Sequence, residues 1–242
     1  MCHSDESRPP ASHDAVPVRS SADLTLTATD GNTLMAFEAR AAQPTGAGIV
    51  VMPDVRGLHQ FYRDLAVRFA EVGIDAVAID YFGRTAEGSD RTEAFEFWPH
   101  VEKLTPEGIT ADVGAAIEHL RGNGTRSVFT VGFCLGGSYS WRQSADTPGL
   151  AGAIGFYGRP ERVGDPSGMT APLLMLVAGA DANIPVADVE ALAEQARQAG
   201  VDVDLTVYNG APHSFFDRTF TEHADAAADA WSRIRAFIAR NS

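Results

Sequence analysis

Cys134 stands in Val131-Gly132-Phe133-Cys134-Leu135-Gly136-Gly137, where an apolar run meets a Gly-x-Cys-x-Gly pattern and then a helical one. A thiol at such a strand-to-helix elbow can act as a nucleophile, because the turn exposes the side chain and the helix N-terminus favours thiolate over thiol. Glycines are needed on both sides, since the tight turn brings backbone segments close and strains the nucleophile's own conformation. A buried structural cysteine beside a glycine-rich turn is the competing explanation.

Two partners for a thiol nucleophile follow in the order acid, then histidine. Asp181 lies in Gly179-Ala180-Asp181-Ala182-Asn183-Ile184-Pro185, after an apolar run, and His213 lies in Gly210-Ala211-Pro212-His213-Ser214-Phe215-Phe216, after another that ends near Tyr208. The histidine can take the thiol proton, and the carboxylate can fix its tautomer. Taken singly, Asp181 could cap the helix that starts near Pro185, and His213 could be a surface loop residue. Their joint placement beyond strand ends, where open α/β sheets build their sites, favours the chemical reading. Among the other histidines, His3 and His13 precede the fold, His119 and His223 fall in helical patterns, and His59 and His100 stand in no clear context.

The elements that must position these residues read as a doubly wound α/β sheet. Alternating runs at 23–28 and 34–40, split by an Asp-Gly turn, predict an antiparallel edge hairpin. Continuous apolar runs follow at 48–52, 75–79, 127–133, 151–156, 173–177 and 203–207, as expected of parallel strands covered on both faces. Helical patterns at roughly 60–72, 107–121, 137–144, 186–199 and 222–239 supply the crossovers. Residues 83–106 fit neither period and predict a lid or a rim of the site.

At 242 residues and 45% hydrophobic, the chain can bury one sizeable core. Residues 1–22 mix Pro, Ser and charge and predict a flexible arm, with 23–242 forming a single domain. A net charge of −13 would repel nucleic acid and anionic membranes. With no apolar stretch after Met1, no transmembrane run and only Cys2 and Cys134, the expected location is the cytoplasm. Cys2 and His3 are adjacent ligands in a tail and make a poor metal site. Neither His-Glu-x-x-His nor paired Cys-x-x-Cys occurs, so no metal and no cofactor is expected.

On Gly132-Phe133-Cys134-Leu135-Gly136-Gly137, the Gly-x-Asp loop at Asp181 and the Gly-x-x-His-Ser-Phe stretch at His213, the chain from about residue 23 resembles the dienelactone hydrolase family, a cysteine-using branch of the α/β-hydrolases. The resemblance implies that Asp54, where the family has an acidic residue that is usually Glu, contacts the resting thiol, one methylene shorter in reach. It implies an oxyanion hole from the N–H groups of Leu135 and Val55. It also implies that Arg84, and Arg218 with one extra residue before it, bind a substrate carboxylate. As capping or solvated residues, Asp54 and Arg84 would have no such roles.

The expected reaction is cleavage of a small ester or lactone, with a carboxylate on the substrate if those arginines bind one, by a monomer or homodimer. A thiolate leaves more easily than an alkoxide, so the tetrahedral intermediate reverts unless the departing oxygen is also good. Enol lactones and aryl esters meet that condition better than alkyl esters or amides. An esterase or thioesterase with another substrate, a non-catalytic binding protein on the same fold, and a metal-dependent hydrolase are the alternatives.

Overall fold

The computed structural model describes residues 3–86, 88 and 90–242; Cys2 and its suggested metal role lie outside them. Among the described residues, one sheet contains β1 (Ser20–Thr27), β2 (Thr33–Arg40), β3 (Ala47–Met52), β4 (Asp75–Ile79), β5 (Ser127–Phe133), β6 (Gly152–Phe156), β7 (Leu173–Ala178) and β8 (Val203–Tyr208). The helices are α1 (Gln60–Glu71), α2 (Trp98–Val101), α3 (Pro106–Gly122), α4 (Leu135–Asp146), α5 (Val186–Gln198) and α6 (Ala224–Asn241).

Strand order is β1-β2-β4-β3-β5-β6-β7-β8. β1 and β2 are antiparallel, β2 meets β4 antiparallel, and every later pairing is parallel. The hairpin turn is closed by its own aspartate, whose Oδ1 accepts from Asn32 N at 3.1 Å. β3, β4, β6 and β7 are buried along their whole length. Their runs are accordingly continuous rather than alternating.

Successive residues of β5 show that both faces are covered. Phe129 meets Phe237 of α6 with ring centroids 6.2 Å apart, while Thr130 Oγ1 lies 2.8 Å from Ser140 Oγ of α4. α1 shares the α6 face, with Phe69 and Trp231 centroids 5.0 Å apart. The connections out of β3 lead to β4 on one side and, later, to β5 on the other. That reversal opens a crevice at the carboxyl ends of β3 and β5, the usual place for a site in such sheets.

The expectation of a free arm is corrected, and the expected rim at 83–106 gains a helix and an anchor. Residues 20–22 belong to β1, and the preceding segment is not free of the domain: His3, Ser7, Pro9 and Pro10 are buried. The arm lacks apolar periodicity because polar groups hold it, among them Val16 N donating to Glu71 O at 3.0 Å and Trp231 Nε1 donating to Ser12 Oγ at 2.6 Å. Between residues 83 and 106 the sequence hides α2, and a buried pair, Arg91 Nη2 to Asp80 Oδ2 at 2.8 Å, pins the segment to the end of β4. No helix among the described residues is long and apolar enough to cross a membrane.

Candidate active site

Cys134 caps the N-terminus of α4 with φ 55° and ψ −112°, a strained conformation for any residue but glycine. The elbow is possible only with glycine on either side. A Cβ on Gly132 would stand 1.9 Å from Gly136 O, and one on Gly136 would stand 2.2 Å from Met52 O. Two further non-glycine residues have positive φ, Tyr157 at 37° and Ser214 at 64°, and both flank the same site. Strain gathered in one place is a mark of function.

His213 Nδ1 lies 2.5 Å from Asp181 Oδ2, and its ring also hydrogen-bonds with Cys134. The two loops are stitched together: Gly179 N donates to Tyr208 O and Ala180 N to Ala211 O, each at 2.9 Å. Asp181 is fixed in turn by Asn183 N, which donates to Oδ1 at 2.9 Å. Tyr157, buried beneath, packs its ring 4.6 Å from that of His213.

Burial pushes the His213 imidazole down, but the hydrogen bonds and negative charges of Asp181 and Cys134 outweigh it and hold its pKa up at about 9. Burial pushes Asp181 up, and the hydrogen bonds from His213 and the loop N–H groups bring its carboxyl below the usual carboxylate range. Together these shifts describe a protonated His213 held by an ionised Asp181, a neighbour that favours thiolate over thiol.

Cys134, His213, Leu135 and Val55 line one cavity of about 650 Å³. Leu135 is the first residue of α4, where N–H groups have no intrahelical acceptor. Among the described residues, Val55 N likewise has no backbone acceptor. Asp54 is fully buried behind them, its Oδ1 accepting from Arg56 N at 2.9 Å and its Oδ2 3.6 Å from His59 Nε2. Burial pushes its carboxyl up, and His59, His3 and the Arg56 N–H more than offset that. The expected thiol-activating carboxylate is therefore engaged with a loop N–H and faces a histidine.

The two expected carboxylate binders do not line the cavity. Arg84 is held by Asp30 Oδ2 at 2.6 Å, Asp112 Oδ1 at 2.8 Å and Gly108 O at 2.9 Å, tying the β1–β2 turn to α3. Its Nε and both terminal nitrogens are thus engaged by Asp30, Gly108 and buried Asp112, outside the cavity. Arg84→Ala is expected to cost about 3 kcal/mol of stability, because Asp112 would lose its cation. The KM for an anionic ester should stay within about twofold, as initial rates and denaturant melts can check. Arg218 is exposed, with its N–H donating to Arg8 O at 2.9 Å.

The cavity has other cations instead. Arg56, Arg159 and Arg162 line it, as do Phe97 and Trp98. Arg56 is buried and paired with Asp5. Arg159 and Arg162 are exposed, and among the described residues neither has an ion-pair partner. They follow β6, whose carboxyl end is as much a site position as those of β5 and β7, so applying the strand-end rule to every strand would have found them.

The sheet and this constellation define an α/β-hydrolase. The sequence model of the dienelactone hydrolase family matches residues 35–242, and the chain belongs to that family, a hydrolase of carboxylic ester bonds. A relative from Methylorubrum extorquens, named "Putative carboxymethylenebutenolidase", is 30% identical over 253 residues, covering 91% of this chain and 86% of its own. A Bradyrhizobium protein named "Probable 2-oxo-3-(5-oxofuran-2-ylidene)propanoate lactonase" is 28% identical, covering 87% of this chain and 90% of its own. Among solved structures, a "Putative Dienelactone Hydrolase" from Klebsiella pneumoniae superposes with a TM-score of 0.77 at 27% identity, covering 91% of this chain and 99% of its own.

Proposed function

We propose that this chain opens enol lactones or aryl esters with Cys134 as nucleophile, through a thioester acyl-enzyme. The observation that carries the reading is the Asp181–His213–Cys134 chain of hydrogen bonds at a strained elbow inside the cavity.

The Cys134 thiolate attacks the substrate carbonyl carbon, and the oxygen that becomes negative is met by the N–H groups of Leu135 and Val55. The intermediate collapses with cleavage of the carbon–oxygen bond, and the departing enolate or aryloxide takes the His213 proton. What remains is a thioester and a neutral imidazole. Acylation removes the thiolate charge that helped raise His213, so its pKa falls just when a base is needed. His213 then deprotonates a water, which attacks the thioester and expels the thiolate.

The test is kcat/KM on a dienelactone and on 4-nitrophenyl acetate, with quenched samples weighed for an acyl adduct on the peptide bearing Cys134. Adduct formed at a rate matching turnover supports the reading. Turnover without adduct, or anilides cleaved as fast as aryl esters of the same acid, would sink it.

The raised His213 also fixes the sign of a pH effect. Below about 9 the imidazolium is the main form, and it keeps its neighbour a thiolate where an ordinary thiol, with a pKa near 8.5, is protonated. Iodoacetamide labelling of Cys134 on a Cys2→Ser background should therefore be nearly flat from about pH 6 to 9. An ordinary thiol would slow about tenfold per unit. That tenfold slope, seen at Cys134, would argue against the ion pair.

A carboxylate on the substrate would find Arg159 and Arg162 rather than Arg84. Replacing both by Ala should raise KM for an anionic lactone about tenfold and leave neutral 4-nitrophenyl acetate within about twofold. Equal effects on both substrates would remove the anion-binding role.

A further inference from the structure

Residues 3–8 precede the stretch that the family's sequence model matches, yet His3 and Ser4 line the same cavity as Cys134 and His213. His3 is buried, stacked on Phe61 with centroids 3.7 Å apart and an interplanar angle of 11°. Its Nε2 lies 3.1 Å from the hydroxyl of Tyr157, the residue whose ring packs against His213.

The segment is anchored at both of its ends. At one end Arg56 Nη1 donates to His3 O at 2.5 Å, Arg56 pairs with Asp5, and Asp5 N donates to Glu93 Oε1 at 3.1 Å. At the other, Arg8 N donates to Asp217 Oδ1 at 3.0 Å and Arg218 N donates to Arg8 O at 2.9 Å. Asp217 and Arg218 thus hold the segment down. A strap tied at one end to buried Arg56 and at the other to buried Asp217 is a fixed part of the site and not a plug that comes and goes.

We propose that residues 3–8 are a built-in wall of the active-site cavity, and that His3 sets the length of substrate the site admits. The proposal rests on Cys134 as the reacting centre. Removing the imidazole opens space between Phe61 and Tyr157 that is continuous with the cavity, room for added methylenes of an acyl chain. Small esters do not reach that space and gain nothing from it.

Three variants test the wall: His3→Ala, which keeps the backbone anchor to Arg56; deletion of residues 2–8; and Ser4→Trp, which adds bulk at an exposed position facing the cavity. The readout is the ratio of kcat/KM for 4-nitrophenyl octanoate to that for the acetate. It should rise about tenfold in His3→Ala and further in the deletion, and fall by a similar factor in Ser4→Trp. A second ratio, N-phenylmaleimide over iodoacetamide labelling of Cys134 on a Cys2→Ser background, should move the same way. Labelling needs the thiol but no ester turnover, so it decides the wall even if Cys134 proves not to be the nucleophile. Ratios within about twofold of the parent in His3→Ala and Ser4→Trp would overturn the proposal, as would a shift in the deletion with none in His3→Ala.

Discussion

Cys134→Ala is expected to lower kcat/KM for 4-nitrophenyl acetate by about 10⁴-fold or more, with melting temperature little changed. The sulfur is the only atom removed, and the elbow is set by Gly132, Gly136 and backbone contacts that the substitution does not touch. What survives is the cavity, the two N–H donors and His213 acting on water, a combination worth far less than a covalent route. Loss of the thiolate also removes two of the influences that raise His213, so residual hydrolysis should show a base with a lower pKa than about 9. Initial rates against pH on the purified variant check both points. More than about one hundredth of the parent activity would mean that another group attacks the carbonyl.

Asp181→Asn is the second large effect, expected at about 10³- to 10⁴-fold in kcat. The carboxylate accepts from His213 Nδ1 at 2.5 Å, which leaves the other ring nitrogen facing the thiol. An amide presents a donor as readily as an acceptor, so it permits the wrong tautomer and no longer steadies the imidazolium. KM should change little, since Asp181 does not line the cavity. The labelling profile of Cys134 should turn steep at the same time, because the thiolate depends on a protonated neighbour. A variant that loses kcat but keeps a flat profile would assign Asp181 to holding the loop rather than to the charge pair.

The strand runs and the strand-end rule made most of this site legible from residues alone. Cys134, Asp181 and His213 follow β5, β7 and β8, the last of them the edge of the sheet, and the chain order of the three constrains their geometry. Arg84 was misplaced because a loop arginine carries no mark of the acid that will meet it. Its partners Asp30 and Asp112 come from a hairpin turn and a helix that only the tertiary fold brings together. Asp54 follows β3 as expected, but nothing local reveals that His59 and a backbone N–H would meet its carboxylate. His3 was invisible for the opposite reason. A polar, proline-rich stretch reads as unstructured, and its order comes from Phe61, Arg56 and Tyr157, which its own composition does not foretell.

The close approach of Gly136 to the Met52 and Pro53 carbonyls has a consequence for how the chain reaches its working form. β3 and β5 pair in register with α1, β4, α2 and α3 lying between them in the chain, so this contact joins segments remote in sequence. Such long-range parallel pairings form late, after local helices and hairpins have appeared. A refolding molecule should therefore regain most of its secondary structure while Cys134 is still an ordinary thiol. Reactivity of that one sulfur would then report completion of the last step, the closing of two strands that must touch backbone to backbone.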